Sequence, residues 1–158
     1  MIQPTYTFTP IGVIHSDFVE REGMPCQAAR SEAEGTVEVF DAYGEGLRDI
    51  EGFSHIILVY VFDRGGEVSL TVRPFLDDAD HGVFSTRHPN RPNPIGLSVV
   101  ELLRRDRNKL FVKGLDVLDQ TPLLDIKPYV PRFDHHPADR TGWLSGQEDQ
   151  RPWKASYR

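Results

Sequence analysis

Apolar and polar side chains alternate with a period of two along much of this chain, and that pattern predicts a protein of short strands. Tyr6 and Phe8, then Ile11, Val13 and His15, predict an opening strand interrupted near Pro10, a residue suited to an edge or a bulge. Residues 36–40, TVEVF, alternate as a half-buried strand central to a sheet should. Residues 53–62, FSHIILVYVF, are almost continuously apolar. They predict a strand buried on both faces, with β-branched Ile56, Ile57, Val59 and Val61 favouring a pleated backbone. His55, at its start, reads as a hydrogen-bonded structural group. Residues 68–74 alternate again. Residues 97–103 and 109–115 flank the polar RRDRN and predict a hairpin with Arg104, Arg105, Arg107 and Lys109 near its tip. After a turn, residues 116–129 predict a strand with Leu124 and Ile126 on one face and Asp125 and Lys127 on the other.

The segments between strands carry the more unusual chemistry. Residues 17–35 are rich in charge and broken by Gly23 and Pro25, which predicts a long loop, and loops of that length in a compact domain are often functional. Leu47 and Ile50 stand at helical spacing and predict a short helical turn. Pro89, Pro92 and Pro94 interrupt the stretch GVFSTRHPNRPNPIGLSVVELL and bias His88, Arg91 and Asn93 towards extended backbone. A stiff loop follows, studded with Arg87, His88, Asn90, Arg91 and Asn93, before Gly96 allows a close backbone approach. Polar groups ordered in advance by proline bind a ligand at a smaller entropic cost, so this loop is the leading candidate for a binding site.

Composition narrows the picture. Length 158, 39% hydrophobic content, Gly 13 and Pro 12 fit one turn-rich β domain, expected over residues 1–145 with a tail over 146–158. Cys26 stands alone, so an internal disulfide is excluded and a reducing cytoplasm is expected. Neither a leader nor a membrane span is expected, the longest apolar run being 56–62. No metal site is expected: Asp77, Asp78 and Asp80 lack the rest of a calcium loop, and His135 and His136 diverge on extended chain. A net charge of −6 argues against a surface that grips nucleic acid everywhere and leaves room for a local basic patch at the hairpin tip. Neither G-x-G-x-x-G after a strand nor a P-loop is present, which removes a Rossmann fold from consideration.

These residues together resemble a known family. TRHPNRPNPIGLSVVELL is similar to the signature of the TrmO (TsaA-like) methyltransferases, and IGVIHSDF, GMPCQ, EGFSHIILVYVF, LDVLDQTPLLDIKPYVP and DRTGWL resemble further family segments in the family's order. The match runs over residues 10–145. Cys26, Asp63, His88 and Gln120 depart from the common pattern, which has arginine, histidine, serine and glycine there. The resemblance implies a compact all-β barrel with long loops and one or two short helices, forming a homodimer that binds S-adenosylmethionine (SAM) near the subunit interface. It implies methylation of the exocyclic nitrogen of threonylcarbamoyladenosine beside the tRNA anticodon.

By matching motifs, the implied cofactor contacts are Gln27, Ala28, Ala29, Asp63, Arg64, Arg87, Leu97, Lys113, Gly114, Leu115 and Asp116. SAM offers a carboxylate for an arginine and a sulfonium that carboxylates steady. Asp125 is the candidate acid/base or positioning group, with Lys127, Tyr129 and Asn93 on the acceptor side and Arg91 and Asn93 as substrate contacts. The resemblance is to the short form, expected to lack the further C-terminal domain of longer members. Two other readings stay open: the same barrel methylating a small molecule, and a SAM-binding module without catalysis.

Overall fold

The computed structural model describes residues 1–22, 24–25 and 31–146. Six strands close into an antiparallel barrel: β1 (Gly12–His15), β2 (Glu34–Val39), β3 (His55–Val61), β6 (Ile95–Asp106), β7 (Lys109–Lys113) and β8 (Thr121–Pro128), in the spatial order β1-β2-β7-β6-β3-β8. A two-stranded sheet of β4 (Thr71–Val72) and β5 (His81–Gly82) stands apart from it. Short 3-10 turns at Asp41–Leu47, Ile50–Gly52, Val83–Ser85 and Gly142–Leu144 and the four-residue helix α1 (Pro131–Asp134) complete the described chain. The all-β barrel expected from the motifs is the observed architecture.

Closure explains where the strand predictions miss. A barrel has an inside and an outside, so β3 alternates along its length: Ile56, Leu58 and Tyr60 are buried while Ile57, Val59 and Val61 are only half-buried. The expectation of burial on both faces fails for that reason. The opening strand starts at Gly12, not at Tyr6, and Tyr6 and Phe8 are exposed. Residues 68–74 yield only the two-residue β4.

The hairpin turn is Arg107-Asn108, with Arg107 at φ 54°, so Arg104 and Arg105 lie within β6. In β8 the pairing with β3 slips one residue, Val59 opposing Asp125 and Tyr60 opposing Leu123. Leu123 is fully buried and Leu124 half-buried, so the predicted Leu124–Ile126 face is replaced by Leu123 before the bulge and Ile126 after it. Asp125 and Lys127 do share the outer face, paired at 3.0 Å.

The core is Ile14, Val37, Ile56, Leu58, Val100, Leu110, Val112, Leu115 and Leu123 with their buried neighbours. Gly96 matters to its packing. It faces Tyr60 across the β3–β6 ladder, and a side chain there would run into the Tyr60 ring and stand 2.8 Å from Phe62. The bare backbone thus accommodates the edge-to-face pair of Tyr60 and Phe62, whose centroids are 5.5 Å apart. Gly96→Ala is expected to lower unfolding stability by about 1–3 kcal/mol through overpacking, measured as a shift of the urea midpoint at unchanged slope.

Candidate cofactor and acceptor site

At one end of the barrel, three connections converge: the segment after β3, the proline loop before β6, and the segment between β7 and β8. Backbone bonds tie the first two together, Phe62 N–H to Pro94 C=O at 2.8 Å and Ser69 N–H to Asn90 C=O at 3.0 Å. The Asn90 carboxamide oxygen accepts the Gly66 N–H at 2.9 Å, which moors the Gly65-Gly66 turn to the proline loop. Arg91 braces the loop from within, donating to the Thr86 and His88 carbonyls at 2.9 and 3.3 Å. That makes Arg91 a brace of the loop, while Asn93 stands exposed beside it.

His88 serves the loop in one tautomer. Its Nδ1 lies 3.1 Å from the Asn90 N–H and accepts from it, so Nδ1 carries no proton. Burial, then the cationic Arg21 and Arg91, lower its pKa below the usual histidine range.

The predicted cofactor residues fall into two groups. Asp63, Arg64, Arg87 and Asp116 gather at the mouth. Arg64 pairs with Asp63 at 3.2 Å and donates to Thr121 Oγ1 at 3.0 Å, reaching from the end of β3 to the start of β8. Asp116 Oδ1 accepts from Ser98 Oγ at 2.5 Å, and Arg87 and Asp116 both act electrostatically on the Tyr60 phenol. Lys113 pairs with Glu32 at 2.7 Å. Gly114 (φ 98°) and Leu115 both donate their N–H to Ala33 C=O, and Leu115 is fully buried with its carbonyl taken by Ser31 Oγ at 2.5 Å. Gly114 and Leu115 therefore shape the mouth from behind. Gln27, Ala28 and Ala29 lie outside the described residues, as do Cys26 and the tail from Gln147 with Trp153; Ser31, which follows the first of these stretches, is anchored beside Asp116 through Leu115.

Leu97 belongs to the second group, on the outer wall. There Leu97, Val59 and Asp125 form one row across β6, β3 and β8, and Val99, Ile57 and Lys127 the next. Asp125 also borders an apolar cleft of about 350 Å³ lined by Ile11, Tyr43, Leu47, Ile50 and Ile126. Tyr129 sits by the other end of β3, edge-on to His55 at 6.2 Å, with its N–H on the His55 carbonyl. His55 is satisfied by Ser54 Oγ at 2.9 Å, as its structural reading requires. The candidate catalytic and cofactor residues are thus split between wall and mouth, joined where Leu97 faces out and Ser98 faces in.

Sequence reasoning passed over Tyr60, Ser98 and Thr121. The signal for Ser98 was available: a hydroxyl on the inward phase of an otherwise apolar strand. The basic hairpin tip stands at the far end of β6 from the mouth, and its arginines are engaged, Arg104 over the Phe111 ring at 3.6 Å and Arg105 on Glu51 and the Leu47 carbonyl at 2.7 and 2.9 Å. As for fit, a guanidinium beside a carboxylate, with an apolar side chain at the rim, matches a ligand carrying a carboxylate, a cation and a nucleoside.

Since the folded state disfavours protonated His88, the unfolded chain binds more protons below about pH 6.5, and stability is expected to fall as pH drops through that value. In His88→Asn, whose amide oxygen can accept the same N–H without titrating, the loss of melting temperature between pH 7 and pH 5 should be smaller than in wild type; an equal loss would clear His88 of the effect.

The tRNA-methyltransferase O N-terminal domain model matches residues 13–135. A probable SAM-binding protein of Pyrococcus abyssi is 56% identical over 138 residues, covering 87% of this chain and 75% of that protein. Human tRNA (adenine(37)-N6)-methyltransferase is 35% identical over 133 residues, covering 79% of this chain and 30% of the human one. The crystal structure of TrmO from Pseudomonas aeruginosa superposes with a TM-score of 0.75 at 39% identity, over 88% of this chain and 62% of that one. The chain therefore spans under two thirds of the solved TrmO chain and under a third of the human relative. With a matching domain model over most of its length and a relative at 56% identity, the chain belongs to the family of the tRNA-methyltransferase O N-terminal domain.

Proposed function

We propose that this chain binds SAM at the barrel mouth and methylates the exocyclic nitrogen of threonylcarbamoyladenosine beside the tRNA anticodon, acting as a homodimer in the cytoplasm. It is a SAM-dependent methyltransferase of its family, and what supports the site is the set of polar contacts at that end of the barrel: Asp116 accepts from the buried Ser98 hydroxyl at 2.5 Å, and Arg64 reaches from Asp63 to Thr121. The bound cofactor supplies an electrophilic methyl group on a sulfonium. Arg87 holds a carboxylate, Asp116 faces a cation, and Arg64 and Asp63 close the side towards β8. In-line attack needs an acceptor nitrogen held in place and relieved of a proton. Asp125, beside Lys127 on the outer wall, is the candidate for that proton, with Asn93 and Tyr129 bounding the acceptor and Arg91 holding the loop around it.

Val59, Val61, Ile95, Leu97 and Val99 make the wall next to the mouth apolar, with Leu97 58% exposed. We assign that wall to the subunit interface, so that a second copy covers Leu97 and brings wall and mouth into one site. An apolar sheet face of this kind is costly to leave in water.

A second reading has one observation in its favour: the Pyrococcus relative is named for binding SAM, without a transfer activity. Incubation with methyl-labelled SAM and bulk tRNA from a strain lacking its own enzyme separates the two. Label is expected in tRNA, at a nucleoside that comigrates with the methylated threonylcarbamoyl derivative. Unlabelled tRNA, together with a thermal shift equivalent to about 2.7 kcal/mol at a hundredfold excess of SAM over Kd, would leave only a binding module. For the interface, Leu97→Asp is expected to give a monomer in analytical ultracentrifugation with a native far-ultraviolet spectrum; a dimer unchanged at micromolar concentration would move the interface elsewhere.

A further inference from the structure

Inside the mouth a chain of hydroxyls runs from the barrel core to Asp116. Tyr60 and Ser98 both point inward from adjacent strands, diagonal to each other across the β3–β6 ladder, Tyr60 opposing Gly96 and Leu58 opposing Ser98. Both are buried, at 4% and 2% exposure. Ser98 Oγ donates to Asp116 Oδ1 at 2.5 Å, and Tyr60 Oη lies 2.8 Å from Ser98 Oγ. A serine hydroxyl has one proton, and Ser98 gives it to the carboxylate. The Tyr60 phenol must therefore be the donor to Ser98. Burial, then the Asp116 carboxylate, push the Tyr60 pKa well above its ordinary range, so the phenol keeps the proton this order requires. The chain is directional: phenol to hydroxyl to carboxylate.

Such an arrangement is costly in a barrel core unless it has a use, because two apolar side chains of similar shape would fill the space without polar groups. A carboxylate presents about four acceptor positions, and the short bond from Ser98 to Oδ1 restricts how the headgroup can turn.

We propose that Tyr60 and Ser98 are positioning residues: they lock the Asp116 carboxylate in the orientation that receives a cationic group of the cofactor. The proposal rests on the reading of the mouth as the SAM site. Gly96 is part of the device, since its missing side chain is what lets the Tyr60 ring lie across β6 with its hydroxyl at Ser98. Two cations of SAM share the required chemistry, the sulfonium and the α-ammonium.

The test is calorimetric titration of the full chain with SAM, S-adenosylhomocysteine and methylthioadenosine. The first carries both cations, the second only the ammonium, the third neither. Tyr60→Phe and Ser98→Ala are each expected to weaken SAM binding roughly three- to tenfold and to leave methylthioadenosine binding unchanged. Equal weakening for S-adenosylhomocysteine assigns the ammonium, and no weakening assigns the sulfonium. In an Asp116→Asn background Tyr60→Phe should have no further effect on SAM affinity, a coupling that a merely structural tyrosine would not show. Wild type that binds SAM, with both variants binding it equally well or losing all three ligands alike, overturns the positioning role alone. Wild type that binds no SAM overturns the reading of the mouth and the positioning role together.

Discussion

Closure of the sheet is the constraint on which everything else depends. β1 joins β2 on one side and β8 on the other with only four residues, Gly12 to His15, so the ring is held shut by a very short strand. Gly12 stands there because a side chain would meet the backbone of β2 at Glu38 and Val39. Once the ring is shut, each strand must present one apolar file inward, and any polar group on that file must find a partner. Ser98, Thr121 and Tyr60 are on that file, and each finds its partner at the mouth: Asp116, the Leu118 carbonyl and Ser98. The polar end of the core and the site are the same place for this reason.

The proline loop is rigid by two independent means. Proline restricts the backbone of residues 88–94 directly, and Arg91, His88 and Asn90 then cross-link the loop to itself and to the Gly65-Gly66 turn. Side chains that read in isolation as ligand contacts are thereby committed to holding the loop. Arg87 lies in the same braced segment and acts electrostatically on the Tyr60 phenol.

Much of this was legible in the sequence, though unevenly. Period-two patterning located β2, β6, β7 and β8 and an unbroken apolar run located β3, because a strand's two faces are written directly into its residues. It misjudged β3, since a long apolar run is the same whether its second face meets a helix, another sheet or a partner copy. It misread β8 because a one-residue bulge between Leu123 and Asp125 shifts the phase within eight residues, and nothing in TPLLDIKP marks the slip. The motifs grouped Asp63, Arg64, Arg87, Leu97 and Asp116 as one set of cofactor contacts, and could not show that Leu97 faces outward on β6, opposite in phase to the buried Ser98 that binds Asp116. Tyr60 and Ser98 escaped because their pairing is diagonal, and depends on the register between two strands far apart in the chain.

The split between mouth and wall has a physical consequence for how the acceptor can be reached. The mouth is a polar opening lined with a guanidinium and carboxylates, and the wall is a hydrophobic sheet face edged by the Asp125–Lys127 pair. Under the proposed interface, where a second copy covers Leu97, a flat purine at the rim would meet the charged residues of the mouth and the apolar seam between the copies at once. Neither surface alone offers that combination. Because β3 and β6 contribute to both, the strand pair carrying Tyr60, Ser98 and Leu97 is the element where a change in register would be most damaging: one residue of slip would turn Ser98 to the outside and Leu97 into the mouth. The Tyr60–Gly96 contact, which only the observed register permits, is therefore as much a lock on the fold as a feature of the site.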